Sequence, residues 1–190
     1  MAADTRARMV EAAIGALRCD GVAGMSFTDV LAASGAARGA IYHHFPGGKA
    51  QLVQEAAALN GQQIRGYLAA LVGDSPADVV QAFVAAIRPA VAASADGSGC
   101  AVAAVTVGQE PDREALRQVA GTAFASWADA LAVRLTEAGV APGEATDFAT
   151  TLITLLEGAH VLCRGAGSLE PFEQATRTIT ALTQCRYPSG

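Results

Sequence analysis

Apolar residues recur along this chain at helical spacing, and strand-like alternation is absent. Val10, Ala13, Ile14 and Leu17 stand at i, i+3, i+4 and i+7 and predict a first helix over about 4–18 with one buried face. Gly21 is read as its stop. Ser26-Phe27-Thr28-Asp29 has the form of a capping box, with Asp29 in place of the usual Glu. It predicts a short helix to about Ala33 that buries Phe27, Val30 and Leu31. Gly35 permits a tight turn, and a second short helix is expected over about 37–44, ended by Pro46-Gly47-Gly48.

A long helix follows from near Lys49 to about Leu71, with Leu52, Ala56, Leu59, Gln63 and Tyr67 on one face. Ser75 as cap and Pro76 at the first helical position open the next, over about 76–93. Residues 100–107 are a short apolar run that fits helix or strand by pattern alone. It is assigned as helix because nothing else in the chain supplies a strand partner. Further helices are expected over about 112–138, 142–163 and 170–184. The fold class is all-α.

Composition agrees. Of 190 residues 52% are hydrophobic and 16% charged, which excludes intrinsic disorder. Forty-four are alanine, the strongest helix former. The net charge is −5 but uneven: residues 1–50 hold five Lys/Arg against four Asp/Glu, and residues 51–190 hold eight against fourteen. Only the N-terminal quarter is suited to a polyanion. Cys19, Cys100, Cys163 and Cys185 form no CxxC pair and suggest neither a disulfide framework nor a zinc ribbon. No signal peptide is visible, and the most apolar stretch, Val79 to Ala95, is interrupted by Arg88 and Pro89. The expectation is a cytoplasmic protein with no membrane partner.

Two short helices joined by a glycine-containing turn have the form of a DNA-reading unit. On a helical wheel Ile41 and Phe45 lie within about 40° of each other and face the core, with Gly39 and His43 opposite and Tyr42 and Ala40 flanking. Arg38 has the reach for a phosphate or a guanine edge, Gly39 allows close backbone approach, and the helix N-terminus favours phosphate. The pattern alone leaves an ordinary helical hairpin with a polar surface equally open.

Residues 10–52, with Gly21, Ser26-Phe27-Thr28-Asp29-Val30, Gly35, Arg38-Gly39-Ala40-Ile41-Tyr42-His43-His44-Phe45 and Lys49, resemble the N-terminal domain of the TetR family of transcriptional repressors. Pro46-Gly47-Gly48-Lys49 is one residue longer than the commonest linker of that family and resembles the LmrA/YxaF-like branch, as does Gly99-Cys100-Ala101-Val102-Ala103 more weakly. The resemblance implies a three-helix helix-turn-helix head (1–48) on a larger helical bundle (49–190) that dimerises and binds a small effector. It implies that Thr28, His44 and Lys49 meet phosphates, and that Arg38, Gly39, Tyr42 and His43 face the major groove. Ala36-Ala37 departs from the family's frequent Ser or Thr, so Ala37 is left with its backbone N–H alone. The alternative for Tyr42 is packing, for His44 a helix cap, and for Lys49 a solvated helix start.

In the bundle, residues 142–163 are apolar on nearly all sides (Phe148, Leu152, Ile153, Leu155, Leu156, Val161, Leu162), and Phe172, Ala175, Ile179 and Leu182 stripe the last helix. Two such helices from each copy suit a four-helix homodimer interface; burial within one copy is the alternative. Candidate effector contacts are Phe83, Arg88, Phe124, Trp127, Phe148 and His160, each of which also suits a plain core. The acidic body favours a neutral or cationic effector. Glu157-x-x-His160 is one half of a dimetal unit whose other half is missing, so no metal or cofactor is expected. Gly-x-Ser-x-Gly, a Walker loop and HExxH are absent, so no enzyme is expected. The expected function is a ligand-responsive repressor that binds a palindromic operator as a homodimer. The alternative is a small-molecule-binding or thiol redox-sensing helical dimer, using His160, Cys163 and Cys100, with weak or no DNA binding.

Overall fold

The computed structural model describes residues 2–107 and 113–188. Within them the chain forms α1 (Ala2–Gly24), α2 (Phe27–Ser34), α3 (Ala40–His44), α4 (Gly48–Ala69), α5 (Pro76–Ala95), α6 (Ala101–Ala104), α7 (Arg113–Glu137), α8 (Pro142–Ala166) and α9 (Glu170–Arg186), with no strand among the described residues. The fold class is all-α; in the ambiguous apolar run only residues 101–104 are helix, and 105–107 form a turn and bend. The expected start of the seventh helix at Asp112 lies outside the described residues.

Local capping explains three of the boundaries. The Ser26 hydroxyl accepts the Asp29 N–H at 3.1 Å, and Asp29 turns its carboxylate onto that hydroxyl at 2.5 Å. α2 ends in a Schellman arrangement: Gly35 stands at φ 66°, its N–H donates to the Ala32 carbonyl, and Ala36 donates to Leu31. Ser75 and Asp78 close a full capping box on α5, with Pro76 next to the cap.

Four expectations shift. Gly21 does not stop α1; it breaks it at φ 67°, ψ −175°, and helix resumes to Gly24. In α2, Val30 is buried while Phe27 and Leu31 are only half-buried. α3 begins at Ala40, not Ala37, so Ala37, Arg38 and Gly39 form the approach to it. Its five residues make little more than one turn, and their peptide dipoles sum to little. On α4, Tyr67 is 71% exposed and Leu68 takes the buried position.

Contacts divide the chain into two compact units: Met1–Gln62 with Cys100–Ala123, and Gln63–Gly99 with Phe124–Gly190. The first contains the expected head. Its core joins Met9, Val10, Ala13, Ile14 and Leu17 of α1 to Val30, Ile41 and Phe45, to Leu52, Val53, Ala56 and Ala57 of α4, and to Val102. Here α4 passes α7 so closely that a Cβ at Gly61 lies 2.8 Å from the Ala123 Cβ. Gly61→Ala is therefore expected to destabilise this unit by about 1–3 kcal/mol through overpacking, read as a lower urea midpoint. An unchanged midpoint would show that the two helices separate freely.

In the second unit α5 packs on α8 and α9, and α8 packs on α9. α5 is long and apolar enough to cross a membrane by length and composition, but its Val79, Val80, Phe83, Ile87 and Val91 are buried in this unit and its Arg88 pairs with Glu173 at 2.6 Å. It reads as a core helix.

Candidate nucleic-acid interface

The exposed segment around α3 is held by two core residues. Ile41 and Phe45 are buried and anchor α3 from below, as the wheel predicted. The Phe45 N–H donates to Ile41 at 2.7 Å and closes the helix, and Gly48 donates back to Phe45 at 2.9 Å to start α4. With that face fixed, Arg38, Gly39, Tyr42 and His43 stand exposed, and Thr28 and Ala37 are exposed beside them. His44 and Lys49 are half-buried at the end of α3 and the first turn of α4.

Details refine the roles. Tyr42 remains 69% exposed while its ring meets Phe27 edge-on at 6.1 Å, so α2 supports the phenol without covering it. His43 and His44 rings meet edge-on at 5.0 Å. Gly39 has φ −72°, ψ −15°, a conformation open to any residue, and a Cβ there meets nothing within 4 Å. The fold does not require glycine at this position; a ligand approaching the bare backbone would. Lys49 is the chain's only lysine. Among the described residues neither it nor Arg38 has an ion-pair partner, whereas Arg6 and Arg8 of the same unit are paired with Glu55 and Asp4.

The six candidate effector contacts do not converge. Phe124 lies on a groove of about 840 Å³ between α7 and α8, with Ala125, Ala128, Thr150, Ile153, Thr154, Glu157, Gly158, Val161 and Leu162. Trp127 is buried behind Phe124, edge-on at 5.1 Å. Phe83 is core, Arg88 is engaged by Glu173, and Phe148 stacks on Tyr187 at 6.4 Å. His160 is buried with Nδ1 2.6 Å from the Ser94 hydroxyl of α5. Half of the groove lining is small residues, which carry no distinctive signal in a sequence. Its outward apolar side chains, Val161 and Leu162, are 71% and 61% exposed.

All four cysteines are free thiols. Cys163 is buried, and the Cys100 sulfur caps α6 by accepting the Ala103 N–H at 3.3 Å. No group of three His, Cys, Asp or Glu side chains suited to a metal occurs among the described residues.

Comparison with known proteins gives two family matches. Residues 9–56 match the model of bacterial regulatory proteins of the tetR family, and residues 76–178 match the C-terminal domain of LmrA/YxaF-like transcriptional regulators. The chain is 33% identical over 190 residues to an uncharacterized HTH-type transcriptional regulator of Mycobacterium tuberculosis, covering 96% of each. It is 26% identical over 185 residues to the HTH-type transcriptional regulator LmrA of Bacillus subtilis, covering 94% of this chain and 96% of that one. A TetR-family regulator from Agrobacterium tumefaciens has the same fold, with TM-score 0.78 at 21% identity over 96% of this chain and 99% of that one. The exposed helix-turn-helix surface, the all-helical body and a family match across more than half of the chain lead to one conclusion: this protein is a transcriptional regulator of the TetR family, in its LmrA/YxaF-like branch.

Proposed function

We propose that this regulator is a ligand-responsive repressor, acting in the cytoplasm, that binds a two-fold symmetric operator as a homodimer and leaves it when a small effector binds. The observation that carries the reading is the exposed surface of Arg38, Gly39, Tyr42 and His43 over a buried Ile41 and Phe45. Arg38, Tyr42, His43 and the Gly39 backbone read base edges. Thr28, the Ala37 N–H, His44 and Lys49 hold phosphates and set the register. Residues 1–48 serve as the DNA-binding head and 49–190 as the effector and dimer body.

Val161 and Leu162 of α8 and Leu182 of α9 are large apolar side chains left in water. Such a patch suits a partner surface, and a second copy laid along α8 is the partner proposed. It would also roof the trough between α7 and α8, whose volume falls in the range of small-molecule sites. The effector proposed there is apolar and neutral or cationic, with Phe124 as a wall and Glu157 as the charged side chain of the lining. Its binding would favour a conformer whose heads no longer match half-sites about 34 Å apart.

A duplex selected by this protein from a random library tests the reading, with an inverted repeat as the expected result and no enrichment as the outcome that ends it. Lys49→Ala is expected to weaken binding to selected and shuffled duplexes alike, and to lower the salt slope by about one per head. A variant that keeps the parental slope would remove Lys49 from the phosphate contacts.

A further inference from the structure

Two arginines of α1 lie outside the reading surface, and each grips one end of it. Arg8 Nε donates to the Ser34 carbonyl at 3.0 Å, at the last residue of α2 before the Gly35 turn. Arg6 lies with its guanidinium carbon 5.0 Å from the centre of the Phe45 ring, just after α3. Phe45 is fully buried, so Arg6 covers the one core aromatic that ends the reading helix.

Arg6 is itself held by a chain of hydrogen bonds. Its guanidinium donates to Glu55 Oε2 at 2.5 Å; Glu55 Oε1 accepts from Gln51 Nε2 at 3.0 Å; Gln51 Oε1 accepts the Gly47 N–H at 2.9 Å. Gly47 lies in the loop that joins α3 to α4. The relay therefore runs from the N-terminal turns of α1, across α4, to the loop, and returns to α3 through the Arg6–Phe45 stack. A guanidinium suits this because it offers a flat face to the ring and edge donors to the carboxylate at once. The Arg6 side chain is 42% exposed, but its charge is already paired with Glu55, which leaves it less available to neutralise a phosphate.

We propose that Arg6 is a positioning residue for DNA reading: through Phe45 on one side and the Glu55–Gln51–Gly47 relay on the other, it fixes the angle at which α3 and the Arg38–His43 surface meet the groove. This rests on residues 37–49 being the DNA-contacting segment. Base readout needs side chains held to within about 0.5 Å of their productive geometry, whereas phosphate attraction tolerates looser placement. Loss of positioning therefore lowers specific binding and spares non-specific binding.

The test compares Arg6→Met, Arg6→Lys and Gln51→Leu with the parent, by fluorescence anisotropy on the selected duplex and on a shuffled duplex of equal composition, at several salt concentrations and per folded protein. Arg6→Met and Gln51→Leu are expected to lose about tenfold or more on the selected duplex, to stay within about twofold on the shuffled one, and to keep the parental salt slope. Arg6→Lys, which keeps the pair with Glu55 but not the flat stack, is expected to recover part of the loss. If Arg6→Met does not fold, Gln51→Leu carries the test, since it breaks the relay and leaves the ion pair in place.

Parental affinity on both duplexes overturns the proposal. So does an equal loss on both with a lower salt slope, which makes Arg6 a phosphate contact, and so does a loss that vanishes once unfolded protein is discounted. The underlying reading fails separately: Arg38→Ala and Lys49→Ala would then also bind as the parent does.

Discussion

Arg38→Ala is expected to lower affinity for the selected operator by roughly 30-fold to 10⁴-fold, because a bidentate contact to a guanine edge is worth about 1–3 kcal/mol and a two-fold dimer loses it twice. Binding to shuffled duplex should fall far less. The side chain is exposed and, among the described residues, without an ion pair, so its removal leaves no buried partner unsatisfied. The thermal midpoint should then move by no more than about 2 °C, as for a surface substitution. His43→Ala, on the same surface, should act in the same direction with a smaller loss. The contrast with Lys49→Ala separates readout from attraction: one variant changes which duplex is preferred, the other how steeply binding falls with salt. An Arg38→Ala protein that still prefers the selected duplex by the parental ratio would move sequence reading elsewhere on the head.

What the sequence revealed of the head follows from how local its determinants are. The Ser26 cap, the Gly35 turn and the Ile41/Phe45 anchor depend on neighbours within a few residues, and all three stand in the structure where the pattern put them. The start of α3 departs from the pattern for an equally local reason. Ala36 and Ala37 are strong helix formers by propensity, but the Schellman end of α2 commits Ala36 to a bond with Leu31, and the chain needs the next residues to turn. Tyr67 shows a different limit. A helical stripe marks a buried face only while the surface it packs on stays the same, and α4 passes from the first compact unit to the second after Gln62. Beyond that point Leu68 is buried and the extrapolated stripe no longer applies.

The body was legible as helices and hardly at all as a site. Large aromatic and charged residues carry conspicuous chemistry, yet half of the groove lining is Ala125, Ala128, Thr150, Thr154 and Gly158, beside Phe124, Ile153, Glu157, Val161 and Leu162. Small side chains leave space by what they lack, and only the packing of two helices shows where that space falls. The relay through Arg6 is similarly hidden, since 49 residues separate it from Glu55. The one usable signal in the body is α8: its exposed face carries Thr146, Asp147, Thr150, Thr151 and Thr154, but in its C-terminal half the apolar residues extend past the buried face to Val161 and Leu162, more than one neighbour covers.

That excess of apolar surface underlies the second large effect. Val161→Asp combined with Leu162→Asp is expected to convert a dimer into a monomer at micromolar concentration, seen by sedimentation, and to lower operator affinity by about 10²–10⁴-fold. Both side chains are already 71% and 61% exposed within one copy, so two carboxylates there disturb no core of the protomer, and its helical circular dichroism should be preserved. In the dimer the same positions would bring like charges together across a desolvated two-fold interface, where each costs far more than in water. DNA binding falls because the second head no longer docks as part of the same molecule, and its effective concentration drops from the millimolar range to that of free protein. The affinity of one head for one half-site, measured on a half-operator duplex, should be unchanged, which distinguishes lost dimerisation from a damaged head. A double variant that stays dimeric and binds the full operator as the parent does would exclude the outer face of α8 as the dimer surface.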